Sequence, residues 1–253
     1  MILAIVNHKG GSTKTTTAAT LAVALADFNK RTKVLLCDLD PQASLTATFG
    51  LDNNEHPKTL YHALLERGTK ITDVKTHIRD RLDLVPANRN LAAGEVLLLR
   101  DDKEGDFYLR RALTPVRKEY AYILLDCPPN LGKLTINALV AADRVIIPVT
   151  CSFLAVKALG QLLDTIEQVR ARLNPSLDIM GILLTRFSRT LHAAEVERRI
   201  REIFKGQVFK TVIGHSVRFE EAPAAGKTIL DYEPSHPGAV AYRAFAKEVL
   251  QHD

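Results

Sequence analysis

The densest chemistry in the chain is the run His8-Lys9-Gly10-Gly11-Ser12-Thr13-Lys14-Thr15-Thr16. Adjacent glycines let backbone N–H groups close on an anion, Lys14 adds a positive charge, and a threonine directly after that lysine offers its hydroxyl to Mg²⁺. The spacing approximates the phosphate-loop pattern of Gly, four residues, then Gly-Lys-Ser/Thr, with His8 and Thr13 standing where the two glycines would be. Two further stretches deliver carboxylates. Asp38-Leu39-Asp40-Pro41-Gln42 follows the apolar run Lys33 to Cys37. Aspartates two residues apart leave a strand on the same side, so one can order the other's hydrogen bonds while it faces Mg²⁺ or a water. Asp126-Cys127-Pro128-Pro129 follows Tyr122 to Leu125, a β-rich run stopped by two prolines that cannot extend a ladder.

These residues need elements to hold them. The apolar run Ile2 to Val6 precedes the first loop, and an Ala- and Leu-rich helix pattern runs from Thr15 to Phe28, pointing a helix N-terminus at the bound phosphates. Helix patterns follow at Leu91 to Leu99, Phe107 to Tyr120, Leu131 to Ala142, Phe153 to Leu173, Thr190 to Phe204 and Gly238 to Leu250. Strand patterns lie at Leu82 to Val85, Arg144 to Val149 (ending at Pro148) and Ile179 to Leu184. Residues Asn53 to Arg81 are polar and interrupted, with one short helix pattern at Leu60 to Arg67, and read as peripheral structure over the site. Asp101 to Asp106 is a solvated charge run, and the stretch around Pro223 and Gly226 reads as a loop. The alternation predicts one α/β domain over 1–253, a doubly wound and mostly parallel sheet with helices on both faces, whose ligands bind at the C-terminal edge of the strands.

At 253 residues, 46% hydrophobic and 25% charged, the chain can bury a full core. Cys37, Cys127 and Cys151 are odd in number and lack metal-ligand spacing, which predicts free thiols in a reducing compartment and no zinc. No apolar run approaches the roughly 18 residues of a membrane span, so a soluble cytoplasmic protein is expected. Net charge is +5. Arg170, Arg172, Arg186, Arg189, Arg198, Arg199, Arg201, Lys205 and Lys210 crowd one stretch, diluted by Glu195, Glu197 and Glu202, with Glu195 and Arg199 at ion-pair spacing. Arg186, Arg189, Arg198, Arg201 and, further on, Arg218 suit the phosphate backbone of double-stranded DNA, and the absence of a recognition motif predicts nonspecific binding.

The box Lys9-Gly10-Gly11-x-x-Lys14-Thr15-Thr16 resembles the deviant Walker A motif of the ParA/MinD ATPases, and closest in kind are the short, Soj-type partition ATPases. That resemblance implies a P-loop NTPase fold binding ATP and Mg²⁺. It implies that Lys9 reaches across a nucleotide-sandwich homodimer to the phosphates of the other subunit. It also implies that Lys14 and Asp40 are catalytic beside it, with Asp40, in a stretch that resembles the family's switch motif, orienting the attacking water. The stretch ending in Asp126 looks like a Walker B strand, and Thr15, Asp40 and Asp126 form the expected Mg²⁺ group. The nucleotide is expected on Lys9, Gly10, Gly11, Ser12, Thr13, Lys14, Thr15 and Thr16, with Arg186 and Pro223 toward the base. The resemblance further implies nucleoid association, a ParB-like adaptor, and a chromosome, plasmid or protein assembly as cargo. Where the family has Gly this chain has Thr13, and a β-branched residue there predicts strain or an adjusted loop. The alternatives are a nucleotide-gated DNA-binding module with weakened catalysis and a MinD-like membrane regulator. The second ranks last, because Ala241 to Asp253 reads as a short packed helix with a polar end and no membrane contact is expected.

Overall fold

Strands that read as unbroken apolar runs need cover on both faces, and the fold supplies it. The computed structural model describes residues 1–51, 57–151 and 153–252, with 153–158 described by backbone alone. In chain order the elements are β1 (Ile2–Ile5), α1 (Lys14–Phe28), β2 (Val34–Asp38), α2 (Ser44–Thr48), α3 (Leu60–Leu65), α4 (Ile71–Val74), β3 (Thr76–Arg79) and β4 (Leu82–Val85). There follow α5 (Asn90–Arg100), α6 (Tyr108–Leu113), β5 (Tyr122–Asp126), α7 (Lys133–Ala141), β6 (Arg144–Thr150), α8 (Phe153–Arg172) and β7 (Asp178–Phe187). The chain closes with α9 (Leu191–Ile203), β8 (Val208–Gly214), α10 (Arg218–Ala224), α11 (Ile229–Tyr232) and α12 (Pro237–Gln251). The strands form one sheet in the order β3-β4-β2-β5-β1-β6-β7-β8, parallel except for β3. Alternate residues of each strand feed two cores. Leu3, Ile5, Leu36 and Leu124 pack with α1 and α12 on one face, and Ala4, Leu35, Ile123 and Leu125 with α5, α6 and α7 on the other.

Several expected elements differ. The helix expected over Phe107 to Tyr120 stops at Leu113 and gives way to a 3₁₀ turn at Arg117–Glu119; Thr114 still has helical backbone, but Pro115 has no N–H to carry the ladder on. The stretch expected as a loop around Pro223 contains α10, with Pro223 inside it. Residues 53–56 of the polar stretch lie outside the described residues; the rest holds α3, α4 and β3, an edge strand whose half-exposed Thr-His-Ile-Arg carries no apolar alternation. β8 is also new: Lys210 and Thr211 interrupt its apolar pattern, and their N–H groups are capped by the Glu248 carboxylate of α12 at 2.7 and 2.8 Å. Pro148 does not end β6, which runs on to Thr150. Its backbone faces the side where β1 has already turned into the loop, so the missing N–H breaks no ladder bond, and its carbonyl accepts from Asn7 Nδ2 at 2.7 Å.

At the strands' opposite ends, Asp83 of β4 is buried in a ring of donors. Lys75 Nζ and His77 Nδ1 stand at 3.0 Å, the Tyr120 hydroxyl at 2.6 Å and Lys33 Nζ at 3.6 Å. Burial pushes the Asp83 carboxyl up, but hydrogen bonds from Tyr120, His77 and Lys75 outweigh it and hold it at about 2. Burial and the Asp83 contact push the Tyr120 hydroxyl up to about 12.

Candidate active site

Parallel register places the ends of three strands side by side: Ile5 pairs with Asp126, and Asp126 with Asp38. The loop after β1 and the two carboxylate stretches therefore meet at the C-terminal edge. The loop is tethered at its start, where Asn7 Oδ1 accepts the Lys9 N–H at 3.0 Å while its amide holds Pro148 of β6. Gly10 and Gly11 are exposed at the loop's crest, and Gly11 takes φ 71°, which glycine adopts freely. Thr13 takes φ 66° and ψ 23°. For a β-branched side chain this left-handed backbone costs about 1–2 kcal/mol. The Thr13 hydroxyl donates to Ser12 O at 2.6 Å, and its carbonyl receives the Thr17 N–H at 2.8 Å, so α1 is launched from the strained residue.

The side chains below the crest are desolvated. Lys14 is 7% exposed, and burial pulls its ammonium below the ordinary lysine range while the Asp126 carboxylate opposes the shift. Asp126 is wholly buried, and among the described residues neither carboxylate oxygen has a hydrogen-bond partner. Burial first, then the Asp38 charge, push its carboxyl well above the usual range, with the Thr15 hydroxyl and Lys14 pulling the other way. An orphaned carboxylate beside a threonine hydroxyl and an ammonium suits a divalent cation. Among the described residues no three His, Cys, Asp or Glu side chains converge to cage a metal, which fits an ion taking most of its ligands from phosphate and water. Ser12 Oγ and His8 Nδ1 are also buried without partners.

Asp38 and Asp40 divide their work. Asp38 is buried, accepts from Asp40 N at 3.0 Å, and takes both the N–H and the hydroxyl of Thr46, at 2.9 and 2.7 Å. Burial raises it to about 6 against those bonds. Thr46 Oγ1 in turn accepts from Ala87 N at 3.0 Å, tying the segment after β4 to α2 and through it to Asp38. Asp40 is part-exposed, with one oxygen fixed by Gln42 N at 2.9 Å. Lys9, Thr15 and Thr16 are each part-exposed around the same edge.

Arg186 and Pro223 both come to the first turn of α1. Arg186 (φ 51°) contacts His215 Nε2 at 3.3 Å and lines a cavity of about 60 Å³ with Thr13, Thr16, Phe219 and Tyr242. Pro223 lines an adjoining recess with Thr16, Thr20 and Thr48. The arginines expected on DNA are less free than their number implied. Arg198 is paired to Glu195 and Glu202 at 2.6 Å each, taking the place at Glu195 expected for Arg199. Arg201 is paired to Glu197, Arg218 to Glu221 and Glu233, and Arg186 lies 3.9 Å from Glu220. Among the described residues Arg189 alone of the five has no carboxylate partner; it borders a cleft of about 600 Å³ with His215, Ser216 and His236. Asn7, Thr46, His215 and Ser216 escaped the motif reading; only Asn7, next to the glycine box, had a positional signal.

The chain matches the AAA domain family over residues 1–179. It is 42% identical to the sporulation initiation inhibitor protein Soj of Bacillus subtilis (strain 168), covering 98% of this chain and 97% of that protein. It is 43% identical to the chromosome partitioning protein ParA of Myxococcus xanthus (strain DK1622), covering 100% and 88%. A crystal structure of cobyrinic acid a,c-diamide synthase from Mycobacterium smegmatis, with bound ATP analogue and magnesium, superposes with a TM-score of 0.81 at 34% identity, over 99% of this chain and 94% of that one. With its eight-stranded, mostly parallel sheet and its glycine loop between β1 and α1, the chain belongs to the ParA/MinD family of P-loop ATPases.

Proposed function

We propose that this ParA-type ATPase pairs into a nucleotide-sandwich dimer on binding MgATP, holds double-stranded DNA without sequence preference in that state, and releases it on hydrolysis. A ParB-like adaptor stimulates the cycle, and the cargo is a chromosome, plasmid or protein assembly. The observation that carries the reading is the orphaned Asp126 carboxylate beside Thr15 and Lys14, a site short of one cation. Thr15 and Asp126 would hold Mg²⁺, which would supply charge neutralisation to the bound phosphates. The chain does the positioning: Gly10 and Gly11 open their amides to the phosphates, Lys14 stabilises charge developing on the transferred group, and Lys9 adds a charge from the partner subunit. Asp40, part-exposed and fixed at one oxygen, orients the water, while buried Asp38 holds the Asp40 backbone in place. Arg189 and the neighbouring cleft give DNA its first phosphate contact, and the paired arginines exchange glutamate for phosphate on binding.

The test is Asp40→Ala. It should bind MgATP and retain DNA on a filter while turnover falls at least about 100-fold. Undiminished turnover removes Asp40 from the mechanism, and wild-type protein that retains no DNA with MgATP overturns the partition reading.

A further inference from the structure

The outward face of α5 is apolar, and among the described residues nothing covers it. Val96, Leu97 and Leu99 are 48%, 43% and 57% exposed, and Ala92 and Ala93 are exposed beside them. The helix itself is firmly seated. Leu91 and Leu98 are buried, Gly94 admits Tyr61 and Leu65 of α3 where a Cβ would clash, and Glu95 accepts the Leu134 N–H at the start of α7. A helix fixed on its inner side normally shows charged residues outward, so aliphatics there mark an interaction surface.

The pattern says what kind. Arg89, Ala93, Val96 and Arg100 are spaced four, three and four residues apart and form one seam along the helix. Both arginines are exposed, and neither has a carboxylate partner among the described residues. They stand at the two ends of the apolar stripe, about 16 Å apart at the helical rise. We propose that this face docks an amphipathic helix of another protein, one with aliphatic residues at three- and four-residue spacing and a carboxylate near each end, about three turns apart. A second copy of this chain does not fit, because α5 against α5 sets arginine on arginine whether the helices run parallel or antiparallel. An anionic bilayer meets a surface of mixed sign just beyond the helix end, where exposed Lys103 lies between Asp102 and a Glu104 already paired to Arg111. The carboxylate-bearing helix is therefore the occupant the two arginines favour. None of these residues belongs to the nucleotide site, so docking and hydrolysis are separable.

The test uses two designed helical peptides of about 18 residues with the same leucine seam, one with glutamates and one with lysines facing the two arginines. By fluorescence anisotropy the glutamate peptide should bind the full chain at least about 10-fold more tightly. Val96→Asp combined with Leu97→Asp should weaken it by a similar factor at unchanged melting temperature and ATP turnover, and Arg89→Glu combined with Arg100→Glu should reverse the preference. Equal affinity for the two peptides, indifference to the aspartates, or no reversal overturns the proposal. So does Leu97-dependent self-association in the ultracentrifuge, or Leu97-dependent flotation with phosphatidylcholine–phosphatidylglycerol vesicles.

Discussion

Asp83 and Asp126 are both buried aspartates on strands of one sheet, and the protein treats them in opposite ways. Asp83, at the N-terminal end of its strand, is ringed by two lysines, a tyrosine and a histidine and is held ionised down to about pH 2. Asp126, at the C-terminal end of its strand, has no hydrogen-bond partner among the described residues and is pushed upward. Both carry the penalty of burial; within the chain it is outweighed at Asp83 and only partly offset, by Thr15 and Lys14, at Asp126. A structural carboxylate is satisfied by the fold, whereas one that serves a ligand is left short so that the ligand completes it.

The sharpest way to break this contrast is to neutralise Asp126. Asp126→Asn removes an uncompensated buried charge, so the ligand-free protein should melt at an equal or higher temperature while turnover falls at least about 100-fold. The rise in melting temperature on adding MgATP should vanish with it. A ligand-free melting temperature lowered as far as that of the Asp83 variant would end the distinction.

Neutralising Asp83 is the converse. Asp83→Asn should leave turnover per folded molecule unchanged and cost about 2–3 kcal/mol in urea unfolding, because lysines are left facing a buried site without their counter-charge. The pH dependence has a definite sign. The Asp83 carboxyl titrates lower in the folded protein, at about 2, than in an unfolded chain, at about 3.9. Its contribution is therefore complete above the unfolded value and is lost as pH falls toward the folded one. The stability gap between wild type and variant should close across that window, and a gap independent of pH would show that the ring stabilises through packing alone.

The smallest expected effect asks whether the site is strained as well as unsatisfied. Thr13→Gly relieves a left-handed threonine and should add about 1 kcal/mol, or roughly 2–4 °C in melting temperature for a chain of this length, with faster ATP turnover. Equal melting and equal turnover in the pair would show the Thr13 backbone to be harmless.

Much of the site was legible because its residues are neighbours in the chain. Lys9 to Thr16 is contiguous, Asp38 and Asp40 are two apart, and Asp126 ends an apolar run, so spacing pointed to phosphate and metal chemistry and the family resemblance assigned the roles of Lys9, Asp40 and Asp126. The Asp83 ring was not legible, since Lys33, Lys75, His77 and Tyr120 come from separate segments and only sheet order brings them together. Thr46 was hidden for the same reason, being an ordinary helix residue until it is seen against Asp38. The arginines of α9 were visible as a cluster, but which glutamate each one faces depends on rotamers, and Arg198 rather than Arg199 meets Glu195. The central strands were clear from unbroken hydrophobicity. The edge strands β3 and β8 were not, because an edge carries polar residues that dilute the pattern.

That dilution has a consequence for a protein proposed to crowd onto DNA. An open edge strand is a template for another chain, and crowding raises the rate at which two such edges meet. Glu248 occupies two successive amides of β8 and also accepts the Thr211 hydroxyl, so that part of the sheet's rim is already spoken for by the protein's own last helix. One carboxylate thus closes that part of the β8 edge to strand pairing with a second sheet.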